Sequence, residues 1–183
     1  MKAQKLRGRE RRNIAKIFLI AALFICLMLQ PLQADTVWTE GYHEILDGDI
    51  YGEIWMYNDC TLDIFGGTIG RLAAYDTTVT DWYDGEMSYL WTRDNSIVNI
   101  FGGLLDRFDP GENGLVNLYA YDVVHHTTGG YWDGGWIEGR YLVDDSYFNF
   151  DIPGEFAVSH INIVPEPSTL LLISLGCLFL RKR

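Results

Sequence analysis

The triplet Phe65-Gly66-Gly67 returns thirty-six residues later as Phe101-Gly102-Gly103, each time after an alternating segment, Leu62-Asp63-Ile64 or Val98-Asn99-Ile100. A weaker copy, Val79 to Gly85, lies between them, so the spacing is two units of eighteen. A second series tracks the first: Trp55 to Asp59, Leu72 to Asp76, Leu90 to Asp94 and Leu118 to Asp122. Its aspartates step by seventeen, eighteen and then twenty-eight, and Asp109-Pro110-Gly111 reads as a turn inserted into the longest step. Self-similarity at a short fixed period marks a stacked solenoid, in which each repeat buries its apolar face only against its neighbours.

Within a repeat, alternation points Leu62 and Ile64 to one side and Asp63 to the other, so one face is dry and one is wet. The glycine pairs permit a tight corner into the next strand. The predicted fold is therefore mainly β, a short parallel β-helix with seventeen to eighteen residues per rung, a β-sandwich being the alternative. Tyr131 to Ile152 departs from the repeat and is rich in large rings: Trp132, Trp136, Tyr141, Tyr147, Phe148 and Phe150. It is predicted as a carboxy-terminal aromatic cap, strands around a Gly134-Gly135 turn that cover the edge an open stack exposes. Phe156 to Val164 is predicted as a final strand.

The two ends have a different character. Lys2, Lys5, Arg7, Arg9, Arg11, Arg12 and Lys16 precede an uncharged run from Ile17 to Leu29, the basic and apolar parts of an export signal. Ala34 offers a small residue for cleavage, which would leave a chain starting at Asp35; an uncleaved anchor is the other reading. Arg11-Arg12 admits twin-arginine export beside the ordinary route. At the other end, Pro165-Glu166-Pro167 forbids a helix or central strand, an apolar run from Thr169 to Leu180 follows, and Arg181, Lys182 and Arg183 close the chain. Cations of that kind stay on the cytoplasmic side. Three regions result: a signal peptide over 1–34, an acidic repeat domain over 35–164, and a sorting tail with a transmembrane helix over 165–183. Twelve residues of helix span roughly 18 Å against a hydrocarbon core of about 30 Å, so crossing requires thinning or snorkelling.

This tail, on a chain with an amino-terminal signal, resembles the PEP-CTERM sorting signal of Gram-negative bacteria. The resemblance implies recognition in the inner membrane by an exosortase, a cut near Pro165-Glu166-Pro167, and delivery to the surface or the exopolysaccharide matrix. The short glycine-rich repeats before the tail also resemble those of planctomycete-type exported proteins, which implies no activity.

Between Asp35 and Val164 only Arg71, Arg93, Arg107 and Arg140 are basic; against twenty-three carboxylates they leave a formal charge of −19. Such a body repels nucleic acid and anionic lipid. Cys60 is the one cysteine outside the two end segments, so it has no internal disulfide partner there, and it reads as a small buried residue.

The aspartates Asp59, Asp76, Asp94 and Asp122 are the nearest approach to a chemical constellation. Stacked about 4.8 Å apart they would repel by roughly 1 kcal/mol in water, and something must offset that. One answer is turn chemistry, each accepting from the backbone two residues on, at Thr61, Thr78 and Ser96. The other is calcium binding between rungs. Tyr57, Tyr75, Trp91, Tyr119 and Tyr121 lie near this corner and suggest either core pairs or a row of rings for sugar faces. His125 and His126, neighbours on a strand, would face opposite ways, and His43 and His160 are isolated in the sequence. No catalytic motif is present, and no pair of carboxylates stands out for a polysaccharide-degrading reaction. The expected protein is an exported, non-catalytic structural or adhesive component; a carbohydrate-binding or calcium-assisted matrix protein is the alternative.

Overall fold

The computed structural model describes residues 35–111, 113–127, 134–153 and 155–165. Their fold is a β-solenoid of about five turns. One face is an all-parallel ladder of β2 (Tyr42–Ile45), the first part of β4 (Thr61–Ala74), the first part of β5 (Val79–Thr92), β6 (Ile97–Ile100), β8 (Leu115–Leu118) and β12 (Ile161–Ile163). The second face stacks β1 (Thr36–Trp38), β3 (Ile50–Met56), the later parts of β4 and β5, and β7 (Leu104–Pro110), again parallel.

The register is the eighteen-residue period made physical. Thr61 pairs with Val79, Val79 with Ile97 and Ile97 with Leu115, while Ile54, Leu72, Leu90 and Phe108 follow one another on the second face. Hence no turn is inserted at Asp109-Pro110-Gly111. Asp109 and Pro110 belong to β7, and the tight turn closes from Gly114 N–H to the Gly111 carbonyl at 3.3 Å. The apparent twenty-eight-residue step arose because Leu118 to Asp122 imitates the Leu-x-x-x-Asp pattern at a different place in the rung.

Alternation buries one column per inward position. Leu62, Thr80, Val98 and Val116 form one, Ile64, Trp82, Ile100 and Leu118 another, and Ile54, Leu72, Leu90 and Phe108 a third, all buried. Burying each large aliphatic side chain stabilises by about 1.5–3 kcal/mol. Thr80 fills a valine-shaped place and its hydroxyl donates to Met56 Sδ at 3.6 Å. A narrower column of Cys60, Thr78, Ser96 and Gly114 lines the inside of one corner; Cys60 is buried and free, and burial pushes its thiol up.

After β8 the repeat stops. β9 (Ala120–His126), β10 (Trp136–Tyr141) and β11 (Tyr147–Asp151) form an antiparallel meander, touching the second face where Asp151 pairs with Arg107. Ile137, Tyr141, Phe148 and Phe150 continue the solenoid core. Gly134 and Gly135, the latter with a φ of 84°, directly precede β10 at the end of its connection from the antiparallel β9, and the chain turns again over residues 142–146 between β10 and β11. The predicted final strand is shorter than expected: Glu155–His160 is a 3-10 turn, and only Ile161–Ile163 pairs, in parallel with β8. The apolar runs predicted as terminal helices lie outside the described residues, among which no helix is long and apolar enough to cross a membrane.

Candidate functional site

Each rung turns at two corners, and the residues there decide what the surface can do. At the first corner, β-turns close from Cys60 N–H to the Tyr57 carbonyl, Thr78 N–H to Tyr75 and Ser96 N–H to Arg93. The first central residues, Asn58, Asp76 and Asp94, have φ of 58°, 54° and 53°. Asparagine and aspartate tolerate this left-handed region better than other residues with a Cβ. Asp76 Oδ2 accepts from Asn58 N–H at 2.8 Å, and Asp94 Oδ2 from Asp76 N–H at 3.3 Å. The carboxylates therefore stitch one rung to the one before it, rather than accepting from residues two positions on.

Of the expected four-aspartate ladder, the structure brings only Asp76 and Asp94 into one column, and its third member is Asn58. Asp59 lies one residue out of phase, because seventeen is not the period. Asp122, also with positive φ, sits in β9 beside an irregularity in its pairing with β10. Among the described residues no group of three or more His, Cys, Asp or Glu is placed to hold a metal ion. His125 and His126 take separate partners, the first the Gly134 carbonyl (2.7 Å) and the second Glu138 Oε1 (2.9 Å).

A polar ladder not anticipated from the sequence runs down the first face: Glu44, Asp63, Asp81, Asn99, Asn117 and Asn162. Asn99 Nδ2 donates to Asp81 Oδ1 at 2.6 Å, Asn117 Nδ2 to Asn99 Oδ1 at 2.7 Å, and Asn162 Nδ2 to Asn117 Oδ1 at 3.1 Å. At its acidic end, Tyr42 Oη lies 2.6 Å from Glu44 Oε1 and 2.8 Å from Asp63 Oδ2. The signal was present: an Asp or Asn between two inward residues at Leu62-Asp63-Ile64, Val98-Asn99-Ile100 and Val116-Asn117-Leu118.

The second corner is built from glycine. Gly67, Gly85 and Gly103 stack with φ of 81°, 107° and 95°. A Cβ on Gly85 would lie 2.7 Å from the Gly66 carbonyl oxygen of the preceding rung, so the corner admits neither the strain nor the volume of a side chain. Just before it, Phe65, Tyr83, Phe101 and Tyr119 form a second unanticipated ladder, with ring centroids 5.1, 4.9 and 4.2 Å apart and planes within 5°, 6° and 22°. Tyr57 and Tyr75 at the first corner stack likewise, at 5.0 Å and 12°. Tyr83 and Phe101 thus have a ring on either side, whereas Phe65 ends its ladder stacked on Tyr83. Trp91 stands apart: its plane is 61° from that of Tyr75, and Arg93 lies 4.5 Å over its ring. Tyr119 belongs to the glycine-corner ladder, and Tyr121 to β9, where it bonds Asp145.

Because the corner carries no side chains, a groove of about 380 Å³ follows it along the solenoid axis. Phe65 forms one wall and Ile50, Thr68 and Leu104 the other; Asp47, Asp49, Asp84 and Glu86 supply its carboxylates. On the second face Arg71 and Arg107 flank the Tyr89 ring at 5.5 and 5.7 Å, and Arg71 pairs with Glu53 at 3.3 Å.

The end of the solenoid meets the tail abruptly. Val164 N–H donates to the Leu118 carbonyl at 2.9 Å, the last bond of the β12–β8 ladder. Pro165, exposed and without an N–H, cannot continue it. Asp35 is exposed ahead of β1. Ala34, Glu166, Pro167, Arg181, Lys182 and Arg183 lie outside the described residues. The family model of the PEP-CTERM protein-sorting motif matches residues 164–183, so the chain ends in such a motif. The motif implies recognition by an exosortase, a membrane protease, and export to the cell surface. No curated protein and no solved structure matches the chain.

Proposed function

We propose that this bearer of a PEP-CTERM motif is an exported, non-catalytic structural or adhesive component of the cell surface or extracellular matrix. One observation carries the reading: Val164, the last of the described residues whose N–H is bonded to the solenoid, is the first residue of the matched motif. A cut after Pro167 leaves every described strand in place. Processing then separates a folded body from the segment that holds it at the inner membrane, without unfolding anything.

The other parts fit this use. Residues 1–34 act as the signal peptide, removed between Ala34 and Asp35, and residues 169–180 as the membrane helix whose basic end stays cytoplasmic. The antiparallel strands β9, β10 and β11, with Tyr141, Phe148 and Phe150 turned inward, serve as the cap that stops the parallel stack from recruiting further strands.

A carbohydrate-binding matrix role is the second reading, favoured by the groove on the glycine corner. A calcium-assisted variant of it rests on Asp76 and Asp94, the two members of the expected ladder that share a column; an unchanged melting temperature in calcium and in chelator would remove it. Mass spectrometry of the protein recovered from surface material tests the main proposal. Termini at Asp35 and at or near Pro167 are expected, and an intact Arg183 on surface material would overturn exosortase processing.

A further inference from the structure

We propose that the glycine-corner groove binds a cationic amino-sugar polymer laid along the solenoid axis. This deepens the carbohydrate-binding reading and rests on it. The walls supply contact area: Ile50, Phe65 and Leu104 are 53%, 45% and 58% exposed, large apolar side chains gathered around one groove. Such surface packs against the C–H faces of pyranose rings, with Phe65 offering a ring at the wall.

The polar groups select the sign of the ligand. Every titratable side chain lining the groove is a carboxylate, Asp47, Asp49, Asp84 or Glu86, and among the described residues no cation lines it. Asp49 accepts from Leu46 N–H at 2.9 Å and Asp84 from Gly85 N–H at 2.7 Å, which fixes both carboxylates while leaving acceptor capacity outward. These acids occupy alternate rungs. Asp47 and Asp49 stand on one, Gly66-Gly67-Thr68 on the next, and Asp84 and Glu86 on the one after, so a linear polymer along the axis meets carboxylates at two levels roughly 9.6 Å apart. Ammonium and hydroxyl groups donate to carboxylates, whereas a polyuronate would add repulsion to a groove already crowded with like charge.

A saccharide suits the groove better than a basic peptide does. An extended peptide gains affinity from a free backbone edge. Here the backbone is already engaged: Thr68 N–H donates to the Asp49 carbonyl at 2.9 Å, and Trp82 Nε1–H to the Asp84 carbonyl at 2.7 Å. Side-chain acceptors and apolar walls are what remain.

The test uses the full chain in mild detergent and a fluorescent hexamer of β-1,4-linked glucosamine. Its N-acetylated counterpart, a hexauronate and a lysine-rich peptide of equal charge serve as comparisons. The glucosamine hexamer should bind in a salt-sensitive manner, and the double substitution Asp84→Asn, Glu86→Gln should weaken it about tenfold or more, from lost charge-assisted bonds. The change Asp84→Asn keeps a side-chain oxygen for Gly85 N–H, so the corner stays folded, which thermal melting checks. Asp59→Asn, equal to one of these charge changes but at the other corner, should alter binding less than about twofold. Equal weakening by Asp59→Asn, or peptide binding as tight as the hexamer, overturns the proposal. Preference for the N-acetylated hexamer sinks the amino-sugar assignment but keeps a carbohydrate site, and binding of no saccharide sinks both.

Discussion

The two corners of each rung solve one problem in opposite ways. Both require positive φ. At the first, Asn58, Asp76 and Asp94 hold φ near the left-handed minimum and use their side chains to bond the neighbouring rung. At the second, Gly67, Gly85 and Gly103 hold larger φ where a Cβ would meet the backbone of the preceding rung at Gly67 and Gly85 and the Trp82 indole at Gly103. One corner is stitched and the other is bare. Stability gathers at the corner with side chains, while the corner without them leaves a groove that a partner can fill.

The largest effect should come from putting a side chain where none fits. Gly85→Ala combines unfavourable φ with a clash against the Gly66 carbonyl, and should cost about 3 kcal/mol or more in denaturant melts. Asp76→Ala at the other corner loses the carboxylate that accepts from Asn58 N–H and the tolerance for φ near 54°, and should cost about 2 kcal/mol. Asp76→Asn should lie within about 0.5 kcal/mol of the natural protein, as Asn58 already fills the same column. Were Gly85→Ala no worse than Asp76→Ala, the contrast between a bare and a stitched corner would be wrong.

The face joining the corners gives the next test. Asn99 both donates to Asp81 and accepts from Asn117, so Asn99→Ala should cost about 1 kcal/mol. Asn99→Asp should cost more at neutral pH, since it sets a fourth carboxylate after Glu44, Asp63 and Asp81. Part of that loss should return in acid, where the new group protonates. A pH-independent penalty would show that shape, and not charge, governs the ladder.

The period was legible because glycine corners tolerate little else. Phe65-Gly66-Gly67 and Phe101-Gly102-Gly103 stand two rungs apart, as their spacing required. The aspartate series misled at both ends for one reason: Asn and Asp are interchangeable at φ near 55°, so Asn58, the true member, was passed over for Asp59 beside it. Leu118 to Asp122 then copied the pattern at the wrong corner. Alternation also cannot distinguish parallel from antiparallel neighbours, which is why the meander of β9 to β11 was visible only as a departure from the repeat. The groove was least legible of all. A glycine in a sequence announces a turn, but the space it leaves exists only once Ile50, Phe65 and Leu104 stand around it.

The smallest effect is an alkaline one, and it reads both corners together with the face between them. Burial comes first in raising the phenols of Tyr75 at the stitched corner and Tyr83 in the ring ladder beside the glycine corner. On the second face, Tyr89 is pushed up to about 12, by burial first and then by its 2.7 Å hydrogen bond to Asp109, against the pull of Arg107 and Arg71. A raised phenol means that the folded state favours the protonated form. Its contribution is therefore complete below the unfolded value near 10 and is lost as pH climbs toward 12. Stability should fall across that window, and Tyr89→Phe should flatten part of the slope while changing neutral-pH stability by no more than about 1 kcal/mol. Tyr75→Phe and Tyr83→Phe should each remove a further share. Urea melts at several alkaline pH values measure this directly, and an unaltered slope in Tyr89→Phe would place the titrating groups elsewhere than on the ring held between Arg71 and Arg107.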